Sequence, residues 1–74
     1  MQVTIKVKPR SYYAKDYYLN VDADSVEAAI KTEYPEADGI KEWKPGCFVA
    51  EATGLNGRYG GSLDNLKLVA WEVK

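Results

Sequence analysis

The sequence contains no histidine, so Ser-His-Asp and Cys-His catalysis and any histidine-ligated metal site are excluded. It has one cysteine, Cys47, so no internal disulfide can form and metal-ligand spacing is absent. A lone thiol suits a reducing compartment, and Cys47, following a Pro-Gly turn with no activating partner in sequence, reads as structural. No apolar run approaches the roughly 20 residues of a membrane span. The opening MQVTIKVK alternates where a signal peptide would carry an apolar block, so a cytoplasmic protein is expected.

Seventy-four residues suffice for one domain with a small core, and a hydrophobic fraction of 46% argues against disorder. Net charge is only −1 but unevenly placed. Residues 1–15 carry Lys6, Lys8, Arg10 and Lys15 with no acid, whereas residues 16–42 hold eight acids against Lys31 and Lys41. That asymmetry suggests a two-sided field able to orient a charged partner, or simply a solvated surface.

Periodicity gives the elements. Val3, Ile5 and Val7 alternate with Thr4, Lys6 and Lys8 in a strand that Pro9 ends. Arg10–Ala14 forms a hairpin loop, and a second strand over 15–22 puts Tyr17, Leu19 and Val21 on one face. Asp24 and Glu27 stand at capping-box spacing, predicting a helix with Asp24 as its cap. Val26, Ala29, Ile30 and Tyr34 form the apolar stripe, Glu27 and Lys31 an i,i+4 pair, and Pro35 stops the helix near Glu33. Strands over 39–44 and 47–53 flank Pro45-Gly46, a type II turn pair. A twelve-residue loop over 54–65 follows, holding four of the six glycines. The last strand, 66–73, is apolar on both faces, which predicts a central position.

The fold class is therefore α+β: one domain over 1–74, ββαβββ in order, with one helix on a mostly antiparallel five-stranded sheet. The helix can cover only one sheet face. Val3, Ile5, Val7, Leu19, Val21, Val26, Ile30, Phe48, Leu68 and Val69 are the expected core, and Trp71 is expected to join it.

No catalytic set, cofactor motif or metal site emerges, and the acids read as solvated helix-end groups. Asp22-Ala23-Asp24 lacks the later ligands and glycine of a calcium loop. Gly57-Arg58-Tyr59-Gly60-Gly61-Ser62 lacks the lysine and following helix of a phosphate loop. Its glycines predict instead a mobile segment presenting Arg58 and Tyr59. Six tyrosines and two tryptophans are many for this length, and Tyr, Trp and Arg dominate interface hot spots. The leading expectation is a non-catalytic protein-binding module using Arg10, Tyr12, Tyr13, Arg58 and Tyr59. The acids Glu27, Glu33, Glu36 and Asp38 form a competing surface. The alternative is a small nucleic-acid-binding domain using the basic, tyrosine-rich first hairpin, against which stands a pI near 5.3.

A short ββαβββ chain whose strand runs into Asp22-Ala23-Asp24-Ser25-Val26-Glu27-Ala28-Ala29-Ile30 resembles small proteins of bacteriophages and mobile elements. In size and layout it is similar to the phage anti-CRISPR inhibitors of type I CRISPR–Cas complexes. The resemblance implies a monomer or homodimer that docks on a host protein or ribonucleoprotein complex. It would block target DNA or nuclease recruitment without catalysis, cofactor or membrane.

Overall fold

The computed structural model describes residues 1–74. Five strands and one helix follow in the order β1 (Gln2–Pro9), β2 (Tyr17–Asp22), α1 (Val26–Glu33), β3 (Asp38–Lys44), β4 (Cys47–Leu55) and β5 (Leu63–Val73). The strands form one antiparallel sheet in the spatial order β2-β1-β5-β4-β3. β5 is thus central, as its two apolar faces imply. No helix is long and apolar enough to cross a membrane.

Residues directly opposite in adjacent strands share a face, so the register assigns every side chain. Val3, Ile5 and Val7 pair with Val21, Leu19 and Tyr17 on one side. Ile5 and Val7 pair with Ala70 and Leu68 on the other. This is the helix face, where Val26, Ala29 and Ile30 of α1 meet Val3, Ile5, Val7, Ala50, Leu66, Leu68 and Ala70 in one buried cluster. Leu19, Val21 and Phe48 pack at its margin, half-buried.

The opposite face carries no helix. Val69 and Trp71 lie there, in alternation with the core residues Leu68 and Ala70, so neither belongs to the core that was expected to hold them. Strand alternation decides this, because consecutive residues cannot enter the same core.

The helix starts one residue later than its sequence suggested. Ser25 is the N-cap, its Oγ accepting from the Ala28 amide at 3.0 Å, and Asp24 lies outside. The hydroxyl satisfies one of the orphan donors of the first turn. The Glu27–Lys31 pair does not form, because Lys31 donates instead to the Ala37 carbonyl at 3.2 Å, tying the helix to the start of β3. At Pro45-Gly46 the turn is as expected, with Gly46 at φ 79° and its amide donating to Glu42. β3 carries two register shifts against β4, between Asp38 and Lys41 and between Glu42 and Lys44. Gly39, at φ 62°, supplies the left-handed residue at the first.

Tyr34 ends the apolar stripe, half-buried at the helix C-terminus. Burial, the neighbouring Tyr17 hydroxyl and the nearby Glu33 charge hold its hydroxyl protonated well above the ordinary tyrosine range. Tyr17 in turn donates to the Leu55 carbonyl at 2.8 Å.

Two outcomes follow. Ile30 is fully buried, so Ile30→Ala should lower unfolding free energy by about 2–5 kcal/mol in chemical denaturation. A folded-state pKa raised for Tyr34 contributes stability that is intact below pH about 10 and is lost as pH rises beyond it. Tyr34→Phe should therefore flatten the alkaline limb of the stability–pH curve relative to the parent chain. Parallel limbs in the two proteins would place Tyr34 in an ordinary environment.

Candidate interaction surface

Two loops meet at one end of the sheet. Residues 10–16 leave β1, and residues 56–62 join β4 to β5, the strand beside β1. The Ser11 amide donates to Asp64 Oδ2 at 2.7 Å, and the Arg10 amide to the Asn65 carbonyl at 3.0 Å. The Tyr17–Leu55 bond ties β2 to the end of β4 at the same level. A backbone that would otherwise be two separate excursions is joined into one platform.

On this platform Tyr12, Tyr13 and Tyr59 are 91%, 90% and 96% exposed, so almost none of their apolar surface is used in folding. Tyr12 and Tyr13 stack edge-to-face with ring centroids 5.1 Å apart. The Arg58 guanidinium lies 5.9 Å from the Tyr59 ring centroid, a cation–π distance. Arg10 and Arg58 are both exposed. The structure thus puts the five residues singled out from sequence on two loops at the same end of the sheet, joined at their bases through Arg10, Ser11, Asp64 and Asn65.

The glycine-rich loop is shorter and better tied than the sequence implied. β4 extends to Leu55 and β5 begins at Leu63, leaving seven residues instead of twelve. The Asn56 amide donates to the Ser62 carbonyl at 2.9 Å, and the Ser62 amide to Asn56 Oδ1 at 3.1 Å. Gly61, at φ 122°, sits against the Asn56 side chain where a Cβ would collide with the amide oxygen. A left-handed backbone and a filled space both require glycine there. Gly54 falls within β4, outside the loop, and Gly61 serves its closure.

The competing acids do not make one patch. Glu27 and Glu33 are six positions apart on α1, about 120° around the helix at 100° per residue. Glu36 and Asp38 lie instead at the loop end of the sheet, lining a cleft of about 680 Å³ with Lys8 and Arg10.

The first hairpin is divided as well. Tyr17 faces the helix, Tyr18 pairs with Lys6 on the uncovered face, and Tyr12 and Tyr13 stand at the tip. Its basic and aromatic residues thus serve three surfaces.

The uncovered face, where a functional or dimer contact is expected to sit, has distinctive contents. Successive rows across the sheet read Tyr18–Lys6–Val69–Val49–Lys41, Asn20–Thr4–Trp71–Cys47–Lys44, and Lys8–Lys67–Glu51–Asp38. Trp43 stands over it, 62% exposed, with the Lys44 ammonium 4.8 Å from its ring centroid. Trp71 is half-buried beside Thr4 on this face, a position readable from its odd-numbered phase opposite Leu68 and Ala70. The structure gathers no group of three Cys, Asp or Glu side chains able to hold a metal ion.

Comparison with protein-family models, curated proteins and solved structures found no match.

The loop closure is directly measurable. Amide exchange should show the Asn56 and Ser62 protons protected in the free protein, and Asn56→Ala should raise exchange at Ser62 while leaving β1 unchanged. Exchange at the unprotected rate in the parent chain would restore the freely mobile loop.

Proposed function

We propose that this chain is a non-catalytic protein-binding module whose working surface is the loop end carrying Arg10, Tyr12, Tyr13, Arg58 and Tyr59. The observation that carries the reading is the exposure of three tyrosines, each at least 90% accessible, beside two arginines on one braced platform. Tyrosine supplies a large amphipathic contact with few rotatable bonds, so ordering it on binding costs little. Arginine adds a planar donor array suited to carboxylates and backbone carbonyls. Edge-to-face stacking of Tyr12 on Tyr13 restricts both rings before any partner arrives, which lowers the ordering cost further.

The partner class follows from the resemblance in size and strand order to phage anti-CRISPR inhibitors. On this reading the chain docks on a type I CRISPR–Cas effector complex of a host cell and blocks DNA targeting by occupying a surface. Nothing in the proposed action requires chemistry at the site. The alternative of nucleic-acid binding by the first hairpin has weaker support, because its aromatic residues face three ways.

The test is binding of the purified chain to purified type I effector complexes, measured by biolayer interferometry, alongside target-DNA binding by the same complexes. Binding should be saturable and should suppress DNA binding or nuclease recruitment. Replacing Tyr12, Tyr13 and Tyr59 by serine should weaken it by roughly 30-fold or more, the effect of losing hot-spot residues. Failure to bind any such complex would sink the inhibitor reading. Binding that survives the triple substitution but is abolished by charge reversal at Glu27, Glu33, Glu36 and Asp38 would move the surface to the acids.

A further inference from the structure

We propose that the uncovered sheet face binds a single-stranded nucleic acid, with Lys6, Lys8, Lys41 and Lys67 meeting phosphates and Trp43 and Trp71 stacking bases. This site is the sheet face and not the tyrosine-bearing loops, although Lys8 and Arg10 line one cleft where the two adjoin, and it does not depend on the function proposed for the loop end.

The face is basic although the chain is not. Lys6, Lys8, Lys41, Lys44 and Lys67 all project from it. Of the acids there, Asp22 is held by the N-terminal ammonium at 3.3 Å. Asp38 and Glu51 sit at one end, with Glu51 lining the smaller groove beside Lys41 and Lys67, and Glu72 borders the larger groove, so the lysines outnumber them. Asp16, at the margin, lies 3.7 Å from Lys6. Glu27 and Glu33 lie on the helix, behind the sheet. Sheet and helix layers pack about 10 Å apart, close to the Debye length at 0.1 M salt, so the helix acids are screened from a ligand on the far side. Overall pI therefore misreports the field that a ligand on this face would meet.

Aromatic platforms accompany the lysines. Trp43 borders both grooves on the face, one of about 500 Å³ with Lys8, Lys41 and Val69, the other of about 770 Å³ with Tyr18 and Trp71. The second register shift in β3 adds a residue between Glu42 and Lys44, which brings Trp43 and Lys44 to the same side. A lysine row with interleaved indole and phenol rings can hold phosphates and bases of one strand together.

The residue types argue against the other occupants. Lysine is depleted in protein–protein interface cores, where arginine is enriched, and this face has five lysines, with Arg10 only at its loop-end margin. Duplex DNA is disfavoured by width. Five strands at about 4.8 Å spacing span roughly 19 Å, more than the ~12 Å of a major groove. A single strand, flexible and with unstacked bases, can lie across the sheet.

The experiment is fluorescence anisotropy with 5′-fluorescein-labelled 15-mers of oligo-dT and oligo-U between 50 and 200 mM NaCl. Four phosphate contacts predict a log–log salt slope of about −3, and Lys41→Gln with Lys67→Gln should reduce it by about 1.4. Trp43→Ala, at an exposed position, should weaken binding at least fivefold while leaving the thermal melt unchanged. Replacing Tyr12, Tyr13 and Tyr59 by serine should leave oligonucleotide affinity intact, which separates this site from the loop end. No saturable binding at 50 mM salt would overturn the proposal. So would equal affinity for a 15-bp duplex, or equally effective competition by polyglutamate, since either outcome denies the stacking contribution. Loss of binding on Arg10→Gln with Lys15→Gln, but not on the Lys41 and Lys67 changes, would assign the nucleic acid to the hairpin and overturn it too.

Discussion

One helix of two turns has to cover a sheet of five strands, and the remaining features follow from that shortage. α1 reaches the three central strands through Val26, Ala29 and Ile30, and the core beneath it is narrow. Alanines at 29, 37, 50 and 70 let the layers approach where larger side chains would hold them apart. The edge strands receive less cover, so Leu19 and Val21 on β2 and Ile40 on β3 stay half-buried. No second helix exists for the other face, which must either tolerate water or meet a partner. Its side chains suit water, with Lys8, Lys41, Lys44 and Lys67 exposed around Val69 and Val49 and the Lys44 ammonium over the Trp43 ring.

The same shortage explains the polar bracing at the loop end. Apolar burial there is slight, so side-chain hydrogen bonds hold the loops in place: Asp64 on the Ser11 amide, Tyr17 on the Leu55 carbonyl, and Asn56 on the Ser62 amide. Each bond joins segments distant in the chain or closes a tight turn. Each also leaves a tyrosine tip free. Tyr17 and Tyr34 are consumed by the brace, whereas Tyr12, Tyr13 and Tyr59 stand outside it. Tyrosine abundance thus has two causes, one structural and one facing solvent.

How far these features could be read from residues depends on the range of the signal. Alternation in β1 and the Val26–Ala29–Ile30 stripe are local, and both lie where their periodicity puts them. The double apolar face of residues 66–73 correctly implied a central strand, because only a central position can use both faces. Choosing which face was core needed the register. Leu68 and Val69 looked equivalent by hydropathy, yet only the phase shared with Ile5 and Val7 meets the helix. Trp71 misled for a related reason: its size suggested burial, while its phase placed it with Thr4 and Lys6. The helix cap was misplaced by a single residue because Asp24 and Ser25 are both good caps, and the choice rests on which oxygen reaches an amide. That the loops of Tyr13 and Tyr59 share one end of the sheet depends on β1 lying beside β5, a long-range pairing that no local pattern encodes.

Charge shows most clearly why a chain-wide average conceals the layout. A net charge of −1 describes a weakly acidic protein with no pronounced field. Folding redistributes that charge, gathering Lys6, Lys8, Lys41, Lys44 and Lys67 on the uncovered face against fewer acids while Glu27 and Glu33 stand on the helix side. Alternation makes the sorting possible, because a strand that sends Val3, Ile5 and Val7 inward must send its lysines to the other face. The basic run at the start of the chain is therefore a consequence of strand phase as much as of local composition. Lys67 and Lys41 join it only through pairing across β5 and β4, from segments that carry acids in sequence. A surface built from five strands has no linear signature, so its chemistry emerges only when the sheet is assembled.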